Sequence, residues 1–367
     1  MKRPRFFEAL TTALLAVLIG GVLATPAMAQ GKGGGNNKGG GESEEPVPAG
    51  MLYFAEGGVI DGVLADGSVV DPALPFSGGM APEPSNLLYD GYRLWLRVEE
   101  TGDTYSVDDG TRTTAQRDLF VYRDHVGSDF VESFQLTGLY GNFIVSGRPR
   151  WSNDGEDSFI SFRGIDIRQA YDAESNELDR DLIIHGIFRI EISGWEINAD
   201  EPLIIDPDEV EPIVTSGSGY ASNFMHGWSA DGTKVVYVLD EVRSSSETND
   251  DLYVFDLVTN QETRIWVANS STQNPRFSPT DDVISFHYEG AVWTINPDGS
   301  EAAVLLPSTP PAFWSPDGNH MSFIETVSKG FQKEYFLNRV SLSSGKVTRV
   351  TSGSGPLPWV SNDAFAP

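Results

Sequence analysis

The chain has 367 residues, no cysteine and a formal net charge of −28 at pH 7. The absence of thiols excludes disulfides and thiolate metal sites, so a fold of this size must be held by packing. The acidity repels phosphate backbones and excludes nucleic acid as a partner, while suiting a cationic ligand or solubility in salt.

The N-terminus reads as an export signal over residues 1–29. Lys2, Arg3 and Arg5 precede an apolar run from Ala9 to Ala24, and Pro26-Ala-Met-Ala29 supplies a small-residue cleavage site before Gln30. The run is too short to span a bilayer, which needs about 20 apolar residues. No cysteine lies near the cleavage site to carry a lipid. The expected product is an exported protein, periplasmic or extracellular and not membrane-spanning. Residues 30–50, "QGKGGGNNKGGGESEEPVPAG", carry almost no apolar side chain and cannot offset their own ordering entropy, so they are expected to form a disordered tether.

From Met51 onward the chain repeats itself. "RPRWSNDG" runs from Arg148 to Gly155, "MHGWSADG" from Met225 to Gly232, "NPRFSPTD" from Asn274 to Asp281 and "PAFWSPDG" from Pro311 to Gly318. "LPWVSND" follows near the end, from Leu357 to Asp363. After the first four comes a short alternating strand, then a third apolar strand such as "DLFVYR" (Asp118–Arg123), "GIFRIEI" (Gly186–Ile192), "DLYVFDL" (Asp251–Leu257) or "AVWTIN" (Ala291–Asn296). A turn and a fourth strand close the unit, as in "VTRVTS" from Val347 to Ser352. Each unit is therefore a meander of four antiparallel strands, a to d. The Trp or Phe before each Ser recurs with the fold period, so it is expected to fill the gap between neighbouring sheets.

One such sheet cannot bury both faces alone, so several must pack radially, as in a β-propeller. Five blades are expected at Asn86–Thr137, Gly147–Thr215, Met225–Trp266, Gln273–Leu306 and Pro310–Thr351. A sixth is shared between the termini: "LYFAEGGVIDGVLADGS" (Leu52–Ser68) aligns with strands b and c of another blade, and "PLPWVSND" supplies strand a. The aromatic-Ser-Pro-Asp-Gly unit and the strands after it resemble the propeller repeats of the TolB-like superfamily. The resemblance covers the chain from Met51 to Pro367. Trp314 to Gly318 matches the motif fully, Trp151 and Trp228 match with Asn153 and Ala230 in place of Pro, and Phe277 lacks the Gly. It implies an all-β, six-bladed propeller and says little about function.

Signatures of catalysis are weak. Gly217-Ser218-Gly219 and Gly353-Ser354-Gly355 do not form a nucleophile elbow, and none of His125, His185, His226, His287 and His320 stands at a local metal-ligand spacing. No cofactor and no metal is expected. Asp172, Glu174, Asn176 and Asp179 suggest a Ca²⁺ loop, but the central Gly and final Glu of a Ca²⁺-binding hand are missing, which favours a solvated acidic loop. Strand a borders the central channel, and Arg148, Arg150, His226, Asn274 and Arg276 lie on it. They are candidates for an anion or carboxylate site, with bracing between blades as the competing role. Three consecutive blades carry long b–c insertions, Glu99–Arg117, Gly164–Asp181 and Asp240–Asp250, expected to form an acidic collar on one face. The expectation is a non-catalytic propeller binding a protein or peptide through its collar and channel mouth. The alternative is a secreted polysaccharide lyase or hydrolase with a site in the channel.

Overall fold

The computed structural model describes residues 51–56, 59–64, 69–75, 83–89, 92–107, 110–125, 131–153, 158–192, 205–216, 225–244, 247–306, 312–329 and 332–352, with side chains from Trp95 onward except at 122–125, 131–133, 148, 153, 240–244, 247–249, 332–333 and 351–352. The signal, the tether and the closing strand expected at Leu357–Asp363 lie outside the described residues.

Among the described residues all regular structure is strand, apart from one 3-10 turn at Pro207–Glu209. The first sheet has three strands in sequence order, β1 (Met51–Glu56), β2 (Val59–Leu64) and β3 (Val69–Pro75). The second begins with β4 (Glu83–Tyr89), β5 (Tyr92–Val107), β6 (Arg112–His125) and β7 (Val131–Gln135). Next come β8 (Phe143–Asn153) and β9 (Ser158–Asp166), a small hairpin of β10 (Tyr171–Asp172) and β11 (Glu177–Leu178), then β12 (Ile184–Glu191) and β13 (Val210–Ser216). Strands β8, β9, β12 and β13 form the third sheet, whereas β11 leaves it to pair with β5 of the second. The fourth sheet is β14 (His226–Trp228), β15 (Lys234–Ser244), β16 (Glu247–Asp256) and β17 (Gln261–Trp266). The fifth is β18 (Thr272–Phe277), β19 (Ile284–Tyr288), β20 (Ala291–Ile295) and β21 (Ala303–Leu306). The sixth is β22 (Ala312–Trp314), β23 (His320–Lys329), β24 (Gln332–Ser341) and β25 (Val347–Ser352). Each of the last four sheets reproduces the expected a–b–c–d meander.

The alternation within single strands explains the stacking. Side chains of a strand point to opposite faces in turn. In β15, Val235 and Tyr237 join Ile187 and Val214 of the preceding sheet, while Val236 and Val238 join Phe277, Ile284 and Phe286 of the following one. In β12, Ile187 faces the fourth sheet, and Phe188 and Ile190 face Leu96, Leu119 and Val121 of the second. Both faces are buried, which is why "VVYV" at 235–238 is continuously apolar. The repeated aromatics lie in these seams: Trp151, Trp228 and Trp314 pack against three different interblade clusters, and Phe277 is part of a fourth. The inner strands approach so closely that a Cβ on Gly227 would lie 2.8 Å from the Pro275 carbonyl oxygen.

The Ser and the Asp-Gly of the motif build the a–b turn. Ser229 Oγ donates to Asp231 (2.6 Å) and accepts from the Lys234 amide (2.9 Å), while Asp231 also accepts from the Thr233 amide (3.1 Å). Ser315 and Asp317 repeat the arrangement with the amides of His320 and Asn319. The hydroxyl thus satisfies a backbone group that the turn withdraws from water. Gly318 takes φ +69°, and its missing side chain makes room for Thr280 of the adjacent a–b turn. Replacing Gly318 with Ala should cost about 1–3 kcal/mol for the left-handed backbone, plus the clash with Thr280. Urea unfolding checks this: adding Thr280→Ala should restore part of the loss, and a double variant no better than Gly318→Ala would show that the two turns do not press on each other.

Candidate functional site

The residues expected to border the channel are drawn into contacts between blades. Arg150 on β8 donates through Nε to the His226 carbonyl of β14 (3.4 Å). Ser161 of β9 accepts from Trp228 Nε1 (2.8 Å), and its Oγ lies 2.9 Å from His226 Nε2. The Arg276 guanidinium stacks over the Phe313 ring of the next sheet, 4.5 Å from its centroid. Asn274 takes φ +51° and directs its amide to the Met225 sulfur (3.3 Å). The Arg148 side chain lies outside the described residues. His226, Arg150 and Arg276 thus each link neighbouring sheets.

The insertions differ from the irregular loops expected. The first, Glu99–Arg117, is a prolongation of β5 and β6 with its tip near Gly110. The third, Asp240–Asp250, lengthens β15 and β16 as far as Ser244 and Glu247. The sixth sheet has a comparable extension, β23 and β24 running to Lys329 and Gln332, which the sequence reading did not single out. Strand pairing satisfies backbone groups that an open loop would leave to water, and this orders the segments.

The second insertion reaches across to its neighbour. Strand β11 runs parallel to β5, with Glu177 opposite Ser106 and Leu178 opposite Val107. Three tyrosines anchor it: Tyr105 is fully buried, stacks on Tyr140 at 5.0 Å and meets Tyr171 edge-on at 5.1 Å. Asn176, at φ +58°, accepts from the Tyr140 hydroxyl (3.1 Å) and donates to the Thr104 carbonyl (3.0 Å). Asp172 accepts from the Glu174 amide and the Ser175 hydroxyl, and the Glu174 bond first of all lowers its pKa. Asp179 accepts from the Asp181 amide. The suspected cation ligands are therefore occupied in shaping the hairpin, and the described residues contain no cluster of metal-ligating side chains.

Beneath the tyrosines lies a buried polar node. Tyr105 donates to Gln116 Oε1 (2.6 Å) and accepts from the Gly141 amide (2.9 Å). Gln116 donates to Asp118, which also accepts from Gln135 and the Leu139 amide. Burial pushes the Asp118 carboxyl up to about 6, against the pull of these donors. Asp251 opens the equivalent strand of the fourth sheet and accepts from the Ala268 amide (2.8 Å). The repeated Asp at the start of strand c thus holds the connection that follows strand d.

Between the first two insertions lies a cavity of about 1030 Å³. Its apolar lining is Ile144, Ile165, Ile167, Leu178 and Ile183, and its acidic lining is Asp172, Glu177, Asp179 and Asp181. Arg112 and Arg180 also reach it. His185 lines it too, only 8% exposed. Burial, and secondarily the nearby Arg163 charge, lowers its pKa, so the imidazole is neutral at pH 7. In the sequence His185 is one of five histidines without a local metal-ligand spacing. The available signal is its position at the start of strand c, directly after the longest insertion of its blade.

No protein-family model matches the sequence, and no curated protein matches it. Solved structures do. TolB from Acinetobacter baumannii aligns at 13% identity and a TM-score of 0.51, over 85% of this chain and 66% of that one. A TolB candidate from Agrobacterium tumefaciens aligns at 18% identity and a TM-score of 0.49, over 88% and 96% of the two chains. An oligogalacturonate lyase from Vibrio parahaemolyticus aligns at 14% identity and a TM-score of 0.40, over 74% and 73%. The chain has the TolB-like propeller fold. No helix among the described residues is long and apolar enough to cross a membrane.

The Asp118 node makes a pH prediction. Its pKa is raised from 3.8 to about 6, so the folded state holds the proton more tightly than the unfolded chain. Its contribution to stability is therefore fully present below pH 3.8 and is lost as pH rises to about 6, by about 3 kcal/mol in all. Asp118→Asn should remove this dependence. Urea unfolding of both proteins at pH 4 and pH 7 measures it: a wild-type-minus-variant difference equal at the two values would show that the donors keep Asp118 ionised.

Proposed function

We propose that this TolB-like β-propeller is an exported, non-catalytic protein that holds a protein or peptide partner in the collar on its b–c face. The observation that carries this reading is the cavity between the first two insertions, apolar below and acidic around its rim. Rigid blades position it, and ordered hairpins form its walls. Arg148, Arg150, His226, Asn274 and Arg276 border the channel mouth and keep the inner strands in register for the collar.

The ring in this reading has six blades, the first sheet being completed by a strand from the C-terminal residues. Strands β1 to β3 supply b, c and d, and "PLPWVSND" supplies a. Closure by both termini leaves no open sheet edge for another chain to pair with. Deleting Pro356–Pro367 should abolish the cooperative melt or cause aggregation; a truncated protein melting like the full chain would rule out terminal closure.

The collar is tested by photo-crosslinking in the secreting host. Benzoylphenylalanine at Leu182, half exposed directly after the second insertion, should give an adduct with a discrete protein. The same group at Val258, on a c–d turn at the opposite face and 77% exposed, should give none. Equal adducts at both positions, or none at Leu182, would overturn the assignment. Release of new reducing ends from a polysaccharide by the purified protein would favour the enzymatic alternative instead.

A further inference from the structure

We infer that the collar cavity recognises a peptide segment in which an apolar side chain is flanked by lysine or arginine. The inference rests on the collar reading and specifies its ligand chemistry. The apolar part follows from Ile144, Ile165, Ile167, Leu178 and Ile183, which together offer an aliphatic surface able to enclose one leucine-sized side chain. A cavity of about 1030 Å³ is large enough for such an anchor together with the backbone on either side of it.

The charge of the ligand follows from the rim. Four carboxylates, Asp172, Glu177, Asp179 and Asp181, share it with two arginines. Arg112 and Arg180 are each engaged by other groups of the protein, and the four carboxylates outnumber them. The chain as a whole is strongly acidic, with a net charge of −28, and its field draws cations toward the site. An anionic ligand would have to overcome both.

His185 supplies the remaining piece. It is only 8% exposed and borders the cavity. Its ring nitrogens are polar groups at the cavity wall that a ligand can engage. Because burial keeps the imidazole neutral, it can bond a peptide N–H or C=O without repelling nearby cationic side chains. This combination selects a basic peptide with an apolar anchor over a purely basic one.

Fluorescence anisotropy with the full secreted chain tests the inference. The probe is a fluorescein-labelled hexapeptide of lysines around a central leucine; one companion has serine for leucine, and another has glutamates for the lysines. The leucine–lysine peptide should bind saturably, and both companions at least about tenfold more weakly. The rim variant Glu177→Lys/Asp181→Lys should lose about tenfold for the same peptide with an unchanged melt. Ile183→Ser should also weaken binding, and if it unfolds, the leucine-to-serine comparison reports the same contact on intact protein. Equal binding of the serine peptide would reduce the site to general charge attraction and overturn the inference. Tighter binding of the glutamate peptide, or an unaffected rim variant, would overturn it too. Adducts at position 182 without this peptide selectivity would retire the ligand chemistry and leave the collar standing, whereas loss of the adducts would retire the collar itself.

Discussion

Everything in this structure depends on sheets that are apolar on both faces. A four-stranded meander with Val235 and Tyr237 on one side and Val236 and Val238 on the other cannot be stable in water by itself. Each sheet needs two neighbours, and the only repeated solution is radial stacking. Inner strands then converge, so that Gly227 can carry no side chain against Pro275. On the same inner strands the half-buried Trp151, Trp228 and Trp314 pack into the seams between sheets.

Stacking of this kind buries polar backbone at every turn, and the repeat carries its own remedies. Ser229 and Ser315 satisfy their turns by bonds within five residues, which is why Ser and Asp keep a constant spacing. Asp118 and Asp251 act over longer range and tie the start of strand c to the connection after strand d. The two aspartates differ in their surroundings. Asp251 also lies near the Arg264 guanidinium (3.4 Å), whereas Asp118 is held by neutral donors and carries the raised pKa. Equivalent repeat positions therefore sit in different electrostatic surroundings.

The collar shows how a repeat protein acquires individuality. The blade body is constrained on both faces, so the free variable is the length of the b–c connection. In one blade that connection became a hairpin that pairs with the strand next door and roofs a cavity. Its support, Tyr105, Tyr140 and Tyr171 with Asn176, comes from two sheets. The cavity belongs to neither blade alone. Its acidic rim agrees with the charge of the whole chain, and its aliphatic floor continues the interblade core formed by Ile144, Ile167, Ala170 and Leu178.

The strands, their order within the last four sheets and the aromatic seams were legible in the sequence, because period-two alternation and the Trp-Ser-x-Asp-Gly turn are local signals. The sequence also located the three insertions and their common face, since antiparallel order assigns every b–c connection to one end. It did not reveal that the insertions are strands, because their polar, charged composition is that of loops and only pairing with a neighbour orders them. Nor did it reveal His185, whose meaning comes from residues far apart in the chain, such as Val107, Ile144 and Asp172, that share its cavity. The arginines on the inner strands were legible as charges near the channel, but Phe313 beneath Arg276 and the His226 carbonyl beside Arg150 are contacts that only the ring creates. Tertiary structure decided those matters because they depend on which blade faces which, and no local pattern records that.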